Sequence, residues 1–550
     1  MSKKAIVAAA AFAGTAFLTA GMAAAQTVNA EARAILSSMP AGGWPKWFPP
    51  MLNQALSIPV TKGTPVPGGT LPPLVIPQSE SDIDPTGLLG SYQPGGQTVT
   101  LNNAFFQSLG TNGRTCFSCH QPSSGMGIST AALKNLYKIS GDIDPVFAAV
   151  DGANCPNTPH NHSLLLNKGL FRIFLPVPAN SEITVSVVSD PTGCNTNPAY
   201  AQGVDPTTNQ PTQIVSVYRR PLVATDLKFV TDLNQTRNTD PITGQPLPRD
   251  LNTGLIESGM IMWDGREQTL ATQAWHATAG HAQANSSQLA KLGVLNSQGQ
   301  IPVITPEMAQ IVSFENGIYS AQLYDFVAGS LTANGATGGP VDLAATVKNV
   351  PDTSDPAFNL YNSWGSASGA RQQSIYRGMN IFLGKKTFPI ANVAGIDNIP
   401  IGPGVTLQNV LGHGGGTCST CHSVPNSGSD SFPTAQHDIG VGGTSTDNNG
   451  PAPSPDLPIF EVNCVNGKTN PYHTLPIRTN DPGMALISGK CADIGRLTVA
   501  PLRGLASRAP YFSDGSAATL LDVVNFYNQR FSIGLTDQDK QDLVNFLSAL

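Results

Sequence analysis

Cys116-Phe117-Ser118-Cys119-His120 and Cys418-Ser419-Thr420-Cys421-His422 are two copies of one pattern, Cys-x-x-Cys-His, set 302 residues apart in a chain of 550. Each is the attachment pattern of a covalent c-type haem. Two thiols add to the two vinyl groups of one porphyrin, and the imidazole that follows reaches the iron as its proximal ligand. The competing readings are a zinc site and a thioredoxin-like dithiol. Neither accounts for a histidine directly after the second cysteine, twice, in an exported chain.

Export is read from the first 25 residues. Lys3 and Lys4 precede an apolar run from Ala5 to Leu18, and Ala23-Ala24-Ala25 offers a cleavage site before Gln26. The expected location is periplasmic or secreted, with the mature chain starting after Ala25. No later segment has about 18 uninterrupted apolar residues, so no membrane span is expected. Losing Lys3 and Lys4 takes the net charge from −6 to about −8, which argues against nucleic acid as a partner.

Four of the eight cysteines belong to the haem motifs, leaving Cys155, Cys194, Cys464 and Cys491. Sequence order favours Cys155 with Cys194 and Cys464 with Cys491, with three connectivities formally open. An oxidising compartment permits such bonds. Charged residues make up only 12% of the chain, against 55 glycines and 45 prolines, a balance that suggests long ordered loops around a helical scaffold. The expected fold is mainly α, with two tandem cytochrome c-like haem domains and long irregular loops.

The expected organisation is a signal at 1–25, a Pro/Gly-rich arm at 26–85 bearing Trp44, Trp47 and Phe48, and a first haem domain at 86–331. A linker at 332–370 and a second haem domain at 371–550 follow. Thr305 with Pro306 and Glu307 starts a helix in which Ile311, Phe314, Ile318, Leu323 and Phe326 recur at helical spacing. Helices are also predicted over Ser374 to Leu383, over Ala517 to Phe531, and from a Thr536 cap, the last with Leu543, Phe546, Leu547 and Leu550 on its apolar face. Beyond the haem motifs no strong internal repeat is evident.

Met262-Trp263-Asp264-Gly265-Arg266 with Thr269-Leu270 and Gln273-Ala274, together with Pro501-Leu502-Arg503-Gly504 and Ala509-Pro510-Tyr511-Phe512-Ser513-Asp514-Gly515 leading to Thr519-Leu520, resembles segments of the bacterial dihaem cytochrome c peroxidases and the related enzyme MauG. The resemblance implies two covalent haem c groups. The first would act on hydrogen peroxide or dioxygen, and the second would pass it electrons from a small donor protein such as a cytochrome c or cupredoxin. It implies Trp263 as the bridge between haems, Gln273 as a distal-pocket residue, and His120 and His422 as proximal ligands. The family's distal acid falls ten residues after the glutamine, where this chain has Gln283. His281 is the alternative proton shuttle, with His276 a weaker one. The far-side position of the second haem matches Tyr527, as in MauG. His160, His162 and Met126 are further ligand candidates for the first haem, and His413, His437, His473 and Met484 for the second. Calcium is an optional third cofactor of the family, but Tyr218-Arg219-Arg220-Pro221 replaces its asparagine region, and Arg508 precedes Ala509-Pro510. This argues against calcium and for guanidinium pairing with haem propionates. The dihaem rubber oxygenases, which also lack the acid, are the alternative branch. A non-catalytic dihaem electron carrier is the alternative of another class.

Overall fold

The computed structural model describes residues 65–66, 69–70, 72–204, 211–231, 261–267, 269–296, 299–346, 356–397, 400–402, 404–429, 436–444 and 450–550. The signal sequence and Trp44, Trp47 and Phe48 lie outside the described residues. Among those described, no helix is long and apolar enough to cross a membrane.

The fold is mixed α and β, which corrects the expectation of a mainly α protein. Among the described residues, three antiparallel sheets of three or four strands stand beside the helices, with three further two-stranded pairs. The first has the order β8-β7-β2-β1, from β1 (Ser79–Ile83), β2 (Gly87–Tyr92), β7 (Tyr319–Asp325) and β8 (Gly329–Ser330). The second is β3-β6-β5, from β3 (Phe171–Pro176), β5 (Gln202–Val204) and β6 (Pro211–Arg219). The third is β10-β9-β4, from β4 (Ile183–Ser189), β9 (Ile459–Cys464) and β10 (Ile477–Thr479). The physical reason lies in the disulfide-bearing loops. Ile183-Thr184-Val185-Ser186-Val187 alternates β-branched and polar residues, a pattern that settles only when a partner strand covers one face. That partner is β9, with Glu461 opposite Ser186 and Val462 opposite Val185. Loops from the two halves of the chain thus share one sheet. Both expected disulfides are formed, Cys155–Cys194 with Cα atoms 5.5 Å apart and Cys464–Cys491 at 5.6 Å.

Six helices of eleven or twelve residues stand among the described residues: α1 (Thr130–Ser140), α2 (Leu270–Gly280), α3 (Pro306–Gly317), α4 (Ala370–Asn380), α5 (Leu520–Arg530) and α6 (Asp537–Leu547). Helix α3 begins where predicted, with the Thr305 side chain accepting from Met308 N. It stops at Gly317, and Leu323, read as helical, lies on β7. Helix α6 is capped by Thr536, which accepts from Asp539 N, and it buries Leu543, Phe546 and Leu547.

Each haem motif has its own aromatic core. Phe314 of α3 packs against Phe105, with ring centres 4.7 Å apart, and Phe105 lies 6.4 Å from the ring of His120. Phe546 of α6 packs against Phe382 at 5.6 Å, and Phe382 lies 6.0 Å from His422. The two cores are built on one plan. Phe358, Tyr361 and Trp364, from the stretch read as a linker, are fully buried in the second.

Candidate haem sites

Cys116–Ser118 and Cys418–Thr420 each form one tight 3-10 turn, with Thr115 and Thr417 at the caps. The turn brings the histidine back over its own motif: His120 N donates to Cys116 O at 3.0 Å and His422 N to Cys418 O at 3.1 Å. Six residues beyond each histidine a carbonyl meets its Nδ1, Met126 O at 2.9 Å and Gly428 O at 2.6 Å. A carbonyl only accepts, so Nδ1 carries the proton and Nε2 keeps its lone pair for a metal. Met126 therefore serves the motif with its backbone, while its side chain is buried in the first core.

Each motif borders a cavity. The first, of about 150 Å³, is lined by Cys119, His120, Trp263, Gln273, Ala277, His281 and others. The second, of about 220 Å³, is lined by Cys418, Cys421, His422, Trp263, His437, Tyr527 and a mostly apolar wall. Trp263 lines both, in a partition completed by Arg220 to Val223 and Thr498 to Pro501. Its Nε1 donates to Arg220 O at 2.7 Å and its backbone carbonyl accepts from Thr498 N at 2.8 Å, so one segment of the partition holds the indole and the other its backbone.

The segments that carry the cavity walls are a repeat, offset by 250 residues. Met262 and Phe512 both have positive φ, 71° and 65°, as do Gly265 and Gly515, 66° and 63°. Isolated bridges pair Ile261 with Glu267 and Tyr511 with Ala517. Thr269 then caps α2 and Thr519 caps α5, each within a reciprocal capping box. Asp264-Gly265 with Thr269-Leu270 and Asp514-Gly515 with Thr519-Leu520 carry this repeat in the sequence, a signal the motif-based reading passed over. Applied to the helices, the offset sets Ala277 of α2 against Tyr527 of α5. Both line their cavities. One cavity has a methyl group where the other has a phenol. Burial, and then the neighbouring Cys421 and Cys418, raises the Tyr527 hydroxyl above its ordinary range.

His281 sits at the C-terminal end of α2 with Nδ1 against the Asp151 carboxylate, and Asp151 is also paired with Arg114. Burial works to raise the Asp151 carboxyl, but Arg114 and His281 hold it below the usual range. This places an oriented imidazole on the cavity wall, backed by a fixed charge. Gln273 lies on the same wall, with Nε2 3.8 Å from Met262 Sδ. An outer pocket of about 140 Å³ adjoins it through Met262, Gln273 and His281, and contains His276, which is 2.9 Å from Glu267. Gln283 is turned away: its carbonyl accepts from Thr111 Oγ1 at 2.7 Å, at an exposed position beyond the helix.

The other candidate ligands separate. His160 is exposed and paired with Asp142. His162 is buried between Tyr137 and Phe147, with Nδ1 2.9 Å from Gly152 O. His413 is exposed on the turn before the second motif. His473 Nε2 lies 2.6 Å from Asp438. Met484 caps a short helix at Ala485–Ser488. His437 remains on the second cavity wall.

Tested as haem sites, the cavities fit. Each offers a motif cysteine and a histidine whose Nδ1 is committed to a carbonyl, the tautomer in which Nε2 carries the lone pair. The second cavity is also bordered by two guanidiniums, the buried Arg220 and the half-buried Arg508, which have no carboxylate partner among the described residues. Burial lowers Arg220 to about 9 and Arg508 to about 10, and Arg508 Nε has no hydrogen-bond partner. Such cations suit the acid groups of a haem. Zinc requires a set of three or four converging donors, and among the described residues no group of three His, Cys, Asp or Glu side chains is so arranged. Calcium does not fit beside Arg220. Its guanidinium already donates to the carbonyls of Ile128 and Arg508 at 2.8 Å and of Lys168 at 3.1 Å.

No family model and no curated protein matches the chain. Among solved structures, the crystal structure of a MauG-like protein associated with microbial copper homeostasis aligns over 60% of this chain and 82% of its own. The sequences are 17% identical and the TM-score is 0.27, a superposition too loose to bear on function.

Proposed function

We propose that the chain is a periplasmic or secreted dihaem c-type oxidoreductase, with the first cavity reactive towards hydrogen peroxide and the second relaying electrons to it. The asymmetry of one repeated position carries this reading: the first cavity has only the Ala277 methyl where the second has the Tyr527 phenol, a group able to ligate iron. When bound, each haem would be held by the cysteines and histidine of its motif and would supply an iron that changes charge by one electron, the chemistry peroxide reduction needs.

The chain's own residues supply the rest. His120 and His422 present Nε2 to the metal, because Nδ1 of each is committed to a carbonyl. Turning hydrogen peroxide into two waters takes two protons, drawn from solvent, and two electrons. His281, steadied by Asp151, takes a proton from one oxygen and returns it to the other. Gln273 orients the molecule by hydrogen bonding, and the apolar wall from Leu222 to Val230 excludes water. Trp263 shortens the path between the cavities, and Tyr527 closes the far side of the second. A small electron-donor protein, a cytochrome c or a cupredoxin, supplies the electrons.

Optical and EPR spectra of the oxidised and ascorbate-reduced protein, before and after stoichiometric peroxide, test this. One high-spin haem that responds to peroxide beside one low-spin haem that does not is the expected result. Two low-spin haems indifferent to peroxide would make the protein an electron carrier, and a stable dioxygen adduct would move it to the oxygenases.

A further inference from the structure

The repeat that sets Ala277 against Tyr527 extends by packing to α3 and α6. Phe314 and Phe546 each stand behind the aromatic ring beside a motif histidine, and the next residue along each helix lines the cavity. In the second cavity that residue is Leu547; in the first it is Glu315. Glu315 is 5% exposed, and its Oε2 has no hydrogen-bond partner among the described residues. An acid without a partner in an apolar wall costs stability unless it serves the space it faces.

We propose that Glu315 is the acid of the first cavity, donating a hydrogen bond from its unpartnered oxygen to an oxygen-containing ligand held there, hydrogen peroxide above all. The role rests on the open first cavity proposed above. Burial alone raises the carboxyl to about 8, which keeps it a donor at neutral pH. It follows Phe314, whose ring packs on Phe105 beside the His120 ring, so it lies beside the haem motif. It stands on a different helix from His281 and Gln273, giving the cavity donors on two elements.

The test is fluoride binding to the ferric holoprotein, followed optically, because fluoride is a small acceptor that reports hydrogen-bond donors around it. Glu315→Leu copies the residue the fold already accepts at 547, so it should fold with both haems attached and bind fluoride about tenfold more weakly than wild type, the loss of one hydrogen bond to an anion. Glu315→Gln keeps a donor and should restore the affinity to within about threefold. A Leu variant that binds fluoride as wild type does, or a Gln variant as weak as Leu, would overturn the donor role and leave the open cavity standing. Failure of wild type to bind fluoride would overturn both.

Discussion

Tyr527 and Ala277 occupy one position in two copies of the same turn-and-helix segment, each on the wall of its own cavity. On the proposed function the pair decides which haem is left a free ligand position. Ala277→Tyr should fill the first cavity and abolish the peroxide response while both haems stay attached. Tyr527→Phe should change the EPR signal of one haem and leave the high-spin signal intact. If Tyr527→Phe leaves both signals unaltered, the phenol is only a packing residue, and His437 on the same wall becomes the group to test.

Trp263 closes the gap between the cavities, held at its indole nitrogen by Arg220 O and at its carbonyl by Thr498 N. Trp263→Phe keeps an aromatic ring and loses one hydrogen bond, a stability cost of about 1 kcal/mol. Electron transfer from the second haem to the first, followed by stopped flow after peroxide is added to the half-reduced protein, should slow by an order of magnitude or more. An unchanged rate would show that Trp263 is merely a wall.

Whatever depends on short-range covalent or steric logic was legible in the sequence: the Thr305-Pro306 and Thr536 helix starts and the sequence-local disulfides. Features made by partners far along the chain were not. Strand β4 reads as loop until β9 supplies its other edge, with Ser186 and Glu461 275 residues apart. Glu315 reads as an ordinary helix glutamate, because its register gives no sign that Phe314 beside it packs on Phe105. Asp151 and Arg114 look like loop charges until His281 is brought to them. The Asp-Gly and Thr-Leu repeat was visible, but four short matches in so long a chain gain weight only when both copies adopt the same positive-φ turn.

Asp151 joins His281, the proposed proton shuttle, to the fold, since its two oxygens face Arg114 and His281, and its side chain is fully buried. Asp151→Asn leaves Arg114 buried with a neutral partner. Removing one member of a buried pair costs about 3 kcal/mol, readable as a lower urea midpoint at constant slope. The imidazole also loses the charge behind it, so peroxide turnover should fall by at least tenfold with the optical spectrum of the resting protein unchanged. Full activity in a destabilised variant would separate the fold role from the chemistry and reject His281 as the shuttle.

Asp264, next to Trp263, gives the protein an acid limit. Burial works to raise its carboxyl, yet Arg266 and Arg219 outweigh that and bring it to about 2. Arg219 pairs with Asp264 and also with Asp481, at 2.6 Å, all three being buried. The folded value lies below the unfolded one, near 3.9. The contribution is therefore complete above about pH 4 and is lost as pH falls through 4 towards 2. Its size is about 2.5 kcal/mol at neutral pH. Stability measured by urea unfolding between pH 5 and 2 should fall steeply for wild type. For Asp264→Asn, the curve should start lower at pH 7 and descend less across that window. Parallel curves for the two proteins would mean that Asp264 is not ionised in the folded state and that Arg219 is balanced by Asp481 alone.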